Sequence, residues 1–597
     1  MPKTTARDFD FEKYEPSFWA LQAWWMAPLA VFVLTVALTV LSFPSFFLSF
    51  PSFNGAPFGY VFAAPAIFWA MTRPRFKKFA LVMLAAQVVS WTILLWWLHH
   101  VTWVGLFLLG PFVGVWVGLW HLALWWTARK IHGRPLVVRV AGMFGLGGLW
   151  VVNEWLRTWV LGGFPWLPLG ASQWRSTPLL QIASFTGQGG IAFVLVVFNF
   201  GAAAYFHRLF NEQHSGLRKR SPEFVVALLV LLLAVMPLLP DLVEHSAPGN
   251  SESLARAALV QPDIPQSVKW SRENFDLSFN VLRDLTARAA LTQTAPAQNP
   301  ATGQTETFFP ELIIWPEAAV PYALKGWPES DAIQKWIVTV ADKAGRPILT
   351  GAVAVEDAAR PDDTFFNEAF IVQPKNDDTG APGNVAPGGY RKRRLVPFGE
   401  YVPLRALLGW LDKISDVSSG DTQAGASASP LSIKTSRAAF SAGMLICYED
   451  IFPSLAVDNV YAGADAHIAI TNNAWFGEGA AAYQHAAHSV LRAVETRRPV
   501  IRCGNSGWSG WIDEYGNIRG VMTAGKTPGG TIYFRGTQTF DIRRDTRWTG
   551  AQSFYARHGD WFVLVGAALA FFAYAMAQFY NPRDKTPPVY AETVAGQ

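Results

Sequence analysis

Cysteine is nearly absent. The chain has 2 in 597 residues, which rules out a disulfide framework, and the separation of Cys447 and Cys503 fits no zinc-ligand spacing. One disulfide or two buried thiols stay open. Charge is scarce as well: charged residues make up 16% of the chain and the net charge is +5, too little over this length to imply a nucleic-acid partner. No metal site and no organic cofactor is indicated. Cys503, inside "VIRCGNSG", reads as a buried structural thiol. Cys447 closes the apolar run of "GMLICYED" (443 to 450) and is followed at once by a tyrosine and two carboxylates, which asks for another explanation.

Apolar residues make up 51% of the sequence, with 27 tryptophans, and much of the chain is expected to lie in lipid. Segments long enough to cross a hydrocarbon core appear near 23–43, 57–71, 79–98, 104–127, 137–153, 190–207, 224–240 and 561–580. The second is short and the fifth glycine-rich. Positive charge resists translocation, and the loops divide accordingly. Arg73, Arg75, Lys77 and Lys78 fall in one loop, Arg129, Lys130, Arg134 and Arg139 in or beside another, and Arg208, Arg218, Lys219 and Arg220 in a third, whereas 44–56 and 99–103 have no Lys or Arg. Both ends then read as cytoplasmic and the segment from 245 to 550 as extracytoplasmic. The first span is too long for a cleavable signal. Three domains are predicted: a seven-span membrane domain at 1–244, a catalytic domain at 245–550, and a last span with its tail at 551–597.

The middle segment alternates short β-rich runs ("AALVQPDI", "ELIIWPEA", "PILTGAVAV", "GMLICYED", "AHIAITNN") with helical stretches at 267–291, 329–344 and 481–498, the pattern of an α/β domain. Three polar tracts, near 287–308, 376–389 and 416–430, read as mobile surface loops. Glu317 closes one apolar run, Cys447 another, and Lys392 follows a glycine-rich turn. Strand ends converge on one edge of such a sheet, so the three could meet. A carboxylate, an ammonium and a thiol together make a general base, an oxyanion stabiliser and a nucleophile. Taken singly each has a plainer reading: a helix cap for Glu317, a solvated basic run for Lys392, an inert core thiol for Cys447. His99 and His100 read as interfacial, His485 and His488 as structural or gating, and Glu154 and Arg157, one helical turn apart, as a pair.

The order Glu, Lys, Cys in "WPE", "YRKRRLVPFGEYVP" and "ICYEDIFP" resembles the nitrilase superfamily, and with spans on both sides it resembles the membrane-embedded apolipoprotein N-acyltransferase family. "NEWLRTWVLGGFPWLPLG", "ALVQPDIPQSVKW", "TNNAWFG" and "SFYARHGDW" extend the likeness over nearly the whole chain. The resemblance implies an α-helical membrane bundle carrying an αββα sandwich. It implies Glu317 as base, Lys392 as electrostatic stabiliser and Cys447 as acylated nucleophile, with Glu400, Tyr448 and Glu449 in support. It also implies substrate contacts from Trp270, Trp315 and Trp475, and from Phe164, Pro165 and Trp166 as a membrane-facing motif. Cys447 would take an acyl chain from a phospholipid, typically phosphatidylethanolamine, and pass it to the α-amino group of a diacylated apolipoprotein in a bacterial inner membrane, with no cofactor and as a monomer. Asn473 stands where the family usually has aspartate, and "RCGNSG" where "RATN" is more frequent. A membrane-tethered amidase with the same triad and a non-catalytic sorting module are the rival readings.

Overall fold

The computed structural model describes residues 18–44, 54–211, 221–238, 250–269, 272–293, 297–298, 305–356, 365–376, 378–402, 422–435, 439–525 and 530–579. Trp270 and both charged tails lie outside these.

Among the described residues six helices are long and apolar enough to cross a membrane: Trp25–Ser42, Phe76–Leu94, Trp103–Ile131, Leu136–Leu156, Gln188–Phe210 and Trp561–Phe579. The expected spans at 57–71 and 224–240 are shorter apolar helices. The first is two short helices, Ala56–Gly59 and Ala64–Met71. At the break Asn199 accepts from the Ala63 N–H at 2.8 Å and donates to the Gly59 carbonyl at 2.9 Å, which lets interrupted backbone survive inside a bundle. The second is Pro222–Val235, 14 residues, continued by the turn Met236–Leu238 where the described residues of this segment end. The glycine-rich fifth segment is a full 21-residue helix, and its glycines serve packing. A Cβ on Gly148 would strike the Gly566 carbonyl of the last helix, and one on Gly145 would strike Ala573. Two loop arginines are also more than orientation signals, because Arg139 and Arg208 converge on the buried Glu223 at 2.5 and 2.9 Å.

The α/β part holds an 8-stranded and a 6-stranded sheet. In the first, Ser251–Gln261, Leu312–Ile314 and Ile348–Val355 run parallel at the centre; in the second, Ala439–Ile446, Ala466–Thr471 and Val500–Gly504 do. Side chains alternate across each strand. Met444 and Ile446 join Ile468, Ile470, Leu259, Ile314 and Cys503 in a core between the sheets, while Leu445 and Ala469 face the other way, into a cluster shared with the membrane helices. Helices Phe275–Leu291 and Ser330–Ala344 cover the outside of the larger sheet over a third cluster.

Ala480–Thr496 covers the smaller sheet, and every one of its residues is buried. That is unusual for a helix of mixed composition, and the reason is that the membrane domain packs on its far side. The polar tract at 376–389 differs from the expected plain loop, since Asn384–Val385 pairs with Phe365–Gln373 at the sheet edge.

Candidate active site

Glu317 comes three residues after the end of the buried "LII" strand, in a turn where Ala318 has φ +43°. The turn is clamped by the neighbouring strand: Gly351 N–H donates to the Pro316 carbonyl and Ala319 N–H to the Gly351 carbonyl. A Cβ on Gly351 would lie 2.8 Å from Glu317 Cα, so this approach needs glycine. The Glu317 carboxylate is nearly buried and accepts from Asn367 Nδ2 at 2.8 Å.

Lys392 follows the two-residue strand Tyr390–Arg391, which pairs with Phe365–Gln373, and its own N–H donates to the Asn367 carbonyl. Its ammonium is buried between two carboxylates, 2.7 Å from Glu400 Oε1 and 3.6 Å from Glu317 Oε1. Burial works against the ammonium, but Glu400, Glu317 and Cys447 outweigh it, so Lys392 titrates well above its ordinary range and stays charged. Glu400 is itself fixed by the Val396 N–H at 2.8 Å.

Cys447 ends its strand at φ +54°, a left-handed conformation costly for a residue with a Cβ. The thiol is pushed up to about 12, by burial first and then by the Glu317 charge, with Lys392 and Thr471 working the other way. At neutral pH Cys447 is therefore a neutral thiol under the influence of the Glu317 charge. Both cysteines are free. Cys503 lies between the sheets, its thiol donating to the Ile314 carbonyl at 3.2 Å.

The next two residues hold this elbow. Tyr448 donates its hydroxyl to the Gly163 carbonyl of the membrane domain at 2.7 Å. Glu449, fully buried, accepts from the N–H groups of Ile446 (2.7 Å), Arg393 (2.6 Å) and Arg394 (3.2 Å), and from the Tyr390 hydroxyl. It joins the backbone on the nucleophile's side to the backbone on the lysine's side.

Several expected substrate contacts are placed differently. Trp315 is fully buried under the outer helices, its indole donating to Thr286 Oγ1 at 3.0 Å, because alternation along its strand places it with Ile313 on the outer face of the sheet. Pro165 and Trp166 are buried and Phe164 is partly so. Trp166 is 2% exposed, donates to Gln484 Oε1 at 2.8 Å and lies against the His485 and His488 rings, while Phe164 stacks with Tyr448. Trp475 is 45% exposed at the surface. Glu154 and Arg157 turn to the loop after them: Glu154 accepts from Leu169 N–H and Arg157 donates to the Leu167 carbonyl.

Other residues escaped the sequence reading. Lys269, 1% exposed, donates to the Glu317 carbonyl at 3.2 Å and is brought down to about 8 by burial, with Glu317 opposing. Behind Cys447, Asp450 pairs with Arg502 and accepts from Ser489 Oγ, and His485 Nε2 lies 2.8 Å from its other oxygen. Burial opposes ionisation of Asp450, yet His485 and Arg502 hold its carboxyl well below the usual range. The available signal was Arg502 itself, a charge in the middle of an otherwise apolar strand, which demands a buried partner.

With this geometry in view, the sequence matches the Apolipoprotein N-acyltransferase N-terminal domain over residues 42–201 and the Carbon-nitrogen hydrolase domain over residues 256–548. It is 31% identical over 554 residues, 90% of this chain and 93% of the relative, to the apolipoprotein N-acyltransferase of Geobacter metallireducens. The chain belongs to the apolipoprotein N-acyltransferase family. The Chlorobaculum tepidum member is 27% identical over 89% of this chain and 93% of its own length, so members align through both the membrane and α/β parts. An amidase of the nitrilase superfamily from Nesterenkonia AN1 overlaps 49% of this chain and 91% of its own with a TM-score of 0.32 at 16% identity, too remote to add to the reasoning.

Proposed function

We propose that this family member transfers an acyl chain from a phospholipid, phosphatidylethanolamine by expectation, through a Cys447 thioester to the N-terminal α-amino group of diacylglyceryl-cysteine in apolipoproteins. The observation that carries the reading is the buried Lys392 ammonium, within 4 Å of both Glu317 and Glu400, acting on a thiol at the end of a strand in the other sheet. Glu317 takes the thiol proton as sulfur attacks the ester carbonyl. Lys392 stabilises the oxyanion of the tetrahedral intermediate. Its collapse expels the lysophospholipid alkoxide, which takes the proton from Glu317, and the thioester remains. The acceptor amine, with an ordinary pKa near 8 and so roughly a tenth neutral at pH 7, attacks the thioester; Glu317 takes its proton and returns it to the sulfur on release.

The membrane spans supply what a soluble hydrolase lacks, access to two lipid-anchored substrates. The charge pattern of the loops supports an inner-membrane protein with both termini cytoplasmic, its catalytic part periplasmic, and domains divided near 244 and 550.

The test is intact-protein mass spectrometry after mixing with phosphatidylethanolamine vesicles, with peptide mapping. The expected result is an acyl adduct on Cys447, discharged by a diacylated lipopeptide, lost in Cys447→Ala and kept in Cys503→Ala. Turnover of a small amide without a phospholipid adduct would overturn the reading in favour of a tethered amidase.

A further inference from the structure

The His485 ring touches the nucleophile's backbone, yet no step above uses it. Its Nε2 lies 3.1 Å from the Cys447 carbonyl and 2.8 Å from Asp450 Oδ1. Both are acceptors, so Nε2 carries a hydrogen. The groups facing the ring are Asp450, Arg502, His488 and the Trp166 indole. With Asp450 already matched by Arg502, the ring stays neutral, and burial acts in the same direction. Nδ1 is then an acceptor.

Opposite Nδ1, at 3.0 Å, stands one end of the Asn473 amide, and that same end is 3.2 Å from Thr471 Oγ1. A neutral ring needs a donor there. Oxygen and nitrogen of an amide are alike in shape, and the hydrogen-bond network decides between them. With nitrogen at this end, its two hydrogens go to His485 Nδ1 and Thr471 Oγ1. The opposite orientation leaves the Asn473 NH₂ group buried without an acceptor, a costlier fault than an unpartnered amide oxygen.

Thr471 already accepts from Asn473 in this arrangement, so its own O–H is free to point elsewhere. Ile446 pairs with Ile470 across the parallel strands, which sets Cys447 and Thr471 side by side at the strand ends. The charged groups acting on Cys447 are Glu317, Lys392 and Glu400.

We propose that His485, Asn473 and Thr471 form a positioning relay for the nucleophile: the imidazole holds the strained Cys447 carbonyl, and the relay turns the Thr471 hydroxyl hydrogen onto the cysteine sulfur as it becomes a thiolate. Asn473 is the residue that departs from the family's usual aspartate, and only an amide can donate in both directions. The relay rests on the assignment of Cys447 as nucleophile.

The test uses the full-length protein in detergent and follows the rate of iodoacetamide alkylation of Cys447 by peptide mapping at fixed pH values between about 8 and 10, together with the rate of acyl-enzyme formation from phosphatidylethanolamine vesicles. Thr471→Val removes the hydroxyl at near-constant shape. Asn473→Asp replaces the donor by an acceptor that draws the Thr471 hydrogen away from sulfur. Both should slow alkylation at each pH and slow acylation, each roughly threefold to tenfold, the worth of one hydrogen bond. Thr471→Ser, which keeps the hydroxyl, should follow the parent. Parent-like profiles for both Thr471→Val and Asn473→Asp would overturn the relay, and so would a Thr471→Ser variant as slow as Thr471→Val. An adduct that persists in Cys447→Ala would instead overturn the nucleophile assignment on which the relay depends.

Discussion

Glu449→Gln separates the role of a carboxylate from that of shape. In the parent, one oxygen accepts from Arg393 and Arg394 N–H and the other from Ile446 N–H, while the Tyr390 hydroxyl lies within 3.0 Å of both. Burial raises the pKa of Glu449, opposed by those N–H donors and by Lys392. The Ile446, Arg393 and Arg394 N–H groups all donate to it, and both carboxyl oxygens are needed to accept from them. Glutamine has a single oxygen. Keeping it toward Arg393 sets the new NH₂ against Ile446 N–H, one residue before the nucleophile. The loss is one charge-assisted bond together with two buried donors facing each other, about 3 kcal/mol in all. Since Glu449 joins the Lys392 strand to the Cys447 elbow, we expect that loss to appear in the transition state, where it corresponds to roughly a hundredfold slower acylation. Acyl-enzyme formation timed by intact mass spectrometry reads this directly. A Glu449→Gln variant acylating within threefold of the parent would show that the lysine and the cysteine are held together by something else.

His467 and Gly148 supply two further tests. His467 is fully buried, bonded to Thr496 Oγ1 at 3.0 Å, and lowered to about 3 by burial and then by Arg498 and Arg492. The unfolded histidine binds a proton below about pH 6.5 and the folded one does not until about pH 3, so stability falls on acidification through that window, by up to about 5 kcal/mol. His467→Gln should flatten the decline in thermal-inactivation midpoint between pH 6.5 and 4; a parallel decline in parent and variant would discount His467. Gly148→Ala forces the Leu136–Leu156 and Trp561–Phe579 helices apart at the Gly566 carbonyl, costing about 1–3 kcal/mol. An unchanged melting midpoint in detergent would mean that the contact is not a tight one.

Legibility followed the range of each signal. Strands and helices of the α/β part were readable because apolar period and turn residues are local, and so were the residues at the ends of strands. Glu317, Lys392, Glu400 and Cys447 stand together in the structure, as the motifs suggested. Span length was less readable, because hydropathy along 57–71 does not reveal that Asn199, far along the chain, services a break. The surroundings of Trp315 and Trp166 were not legible, because an aromatic beside a motif has two faces available and only tertiary packing selects one. Lys269 was invisible for a similar reason: its partner is the Glu317 carbonyl, a backbone group with no sequence signature.

The packing also bears on why this chemistry sits on a membrane domain at all. Leu445, Tyr448, Phe452 and Ala469 belong to the same apolar cluster as Trp97, Trp166, Leu167 and the membrane helices, so the face of the sheet beside the nucleophile has no solvent side. Gln484 receives the indole N–H groups of Trp97 and Trp166 and returns its own to the Leu94 carbonyl. Glu495, from the same helix, accepts the first N–H of the Gln188–Asn211 helix at 3.0 Å, satisfying a donor that the helix itself leaves unpaired. A tether would need none of these contacts. They make the Ala480–Thr496 helix a shared wall, and a shift of the loop at 163–167 must be felt by Tyr448 and His488, which bond to its backbone. The strained Cys447 conformation is thus held from both sides, and an isolated α/β part would expose the apolar wall and lose the Gly163 partner of Tyr448.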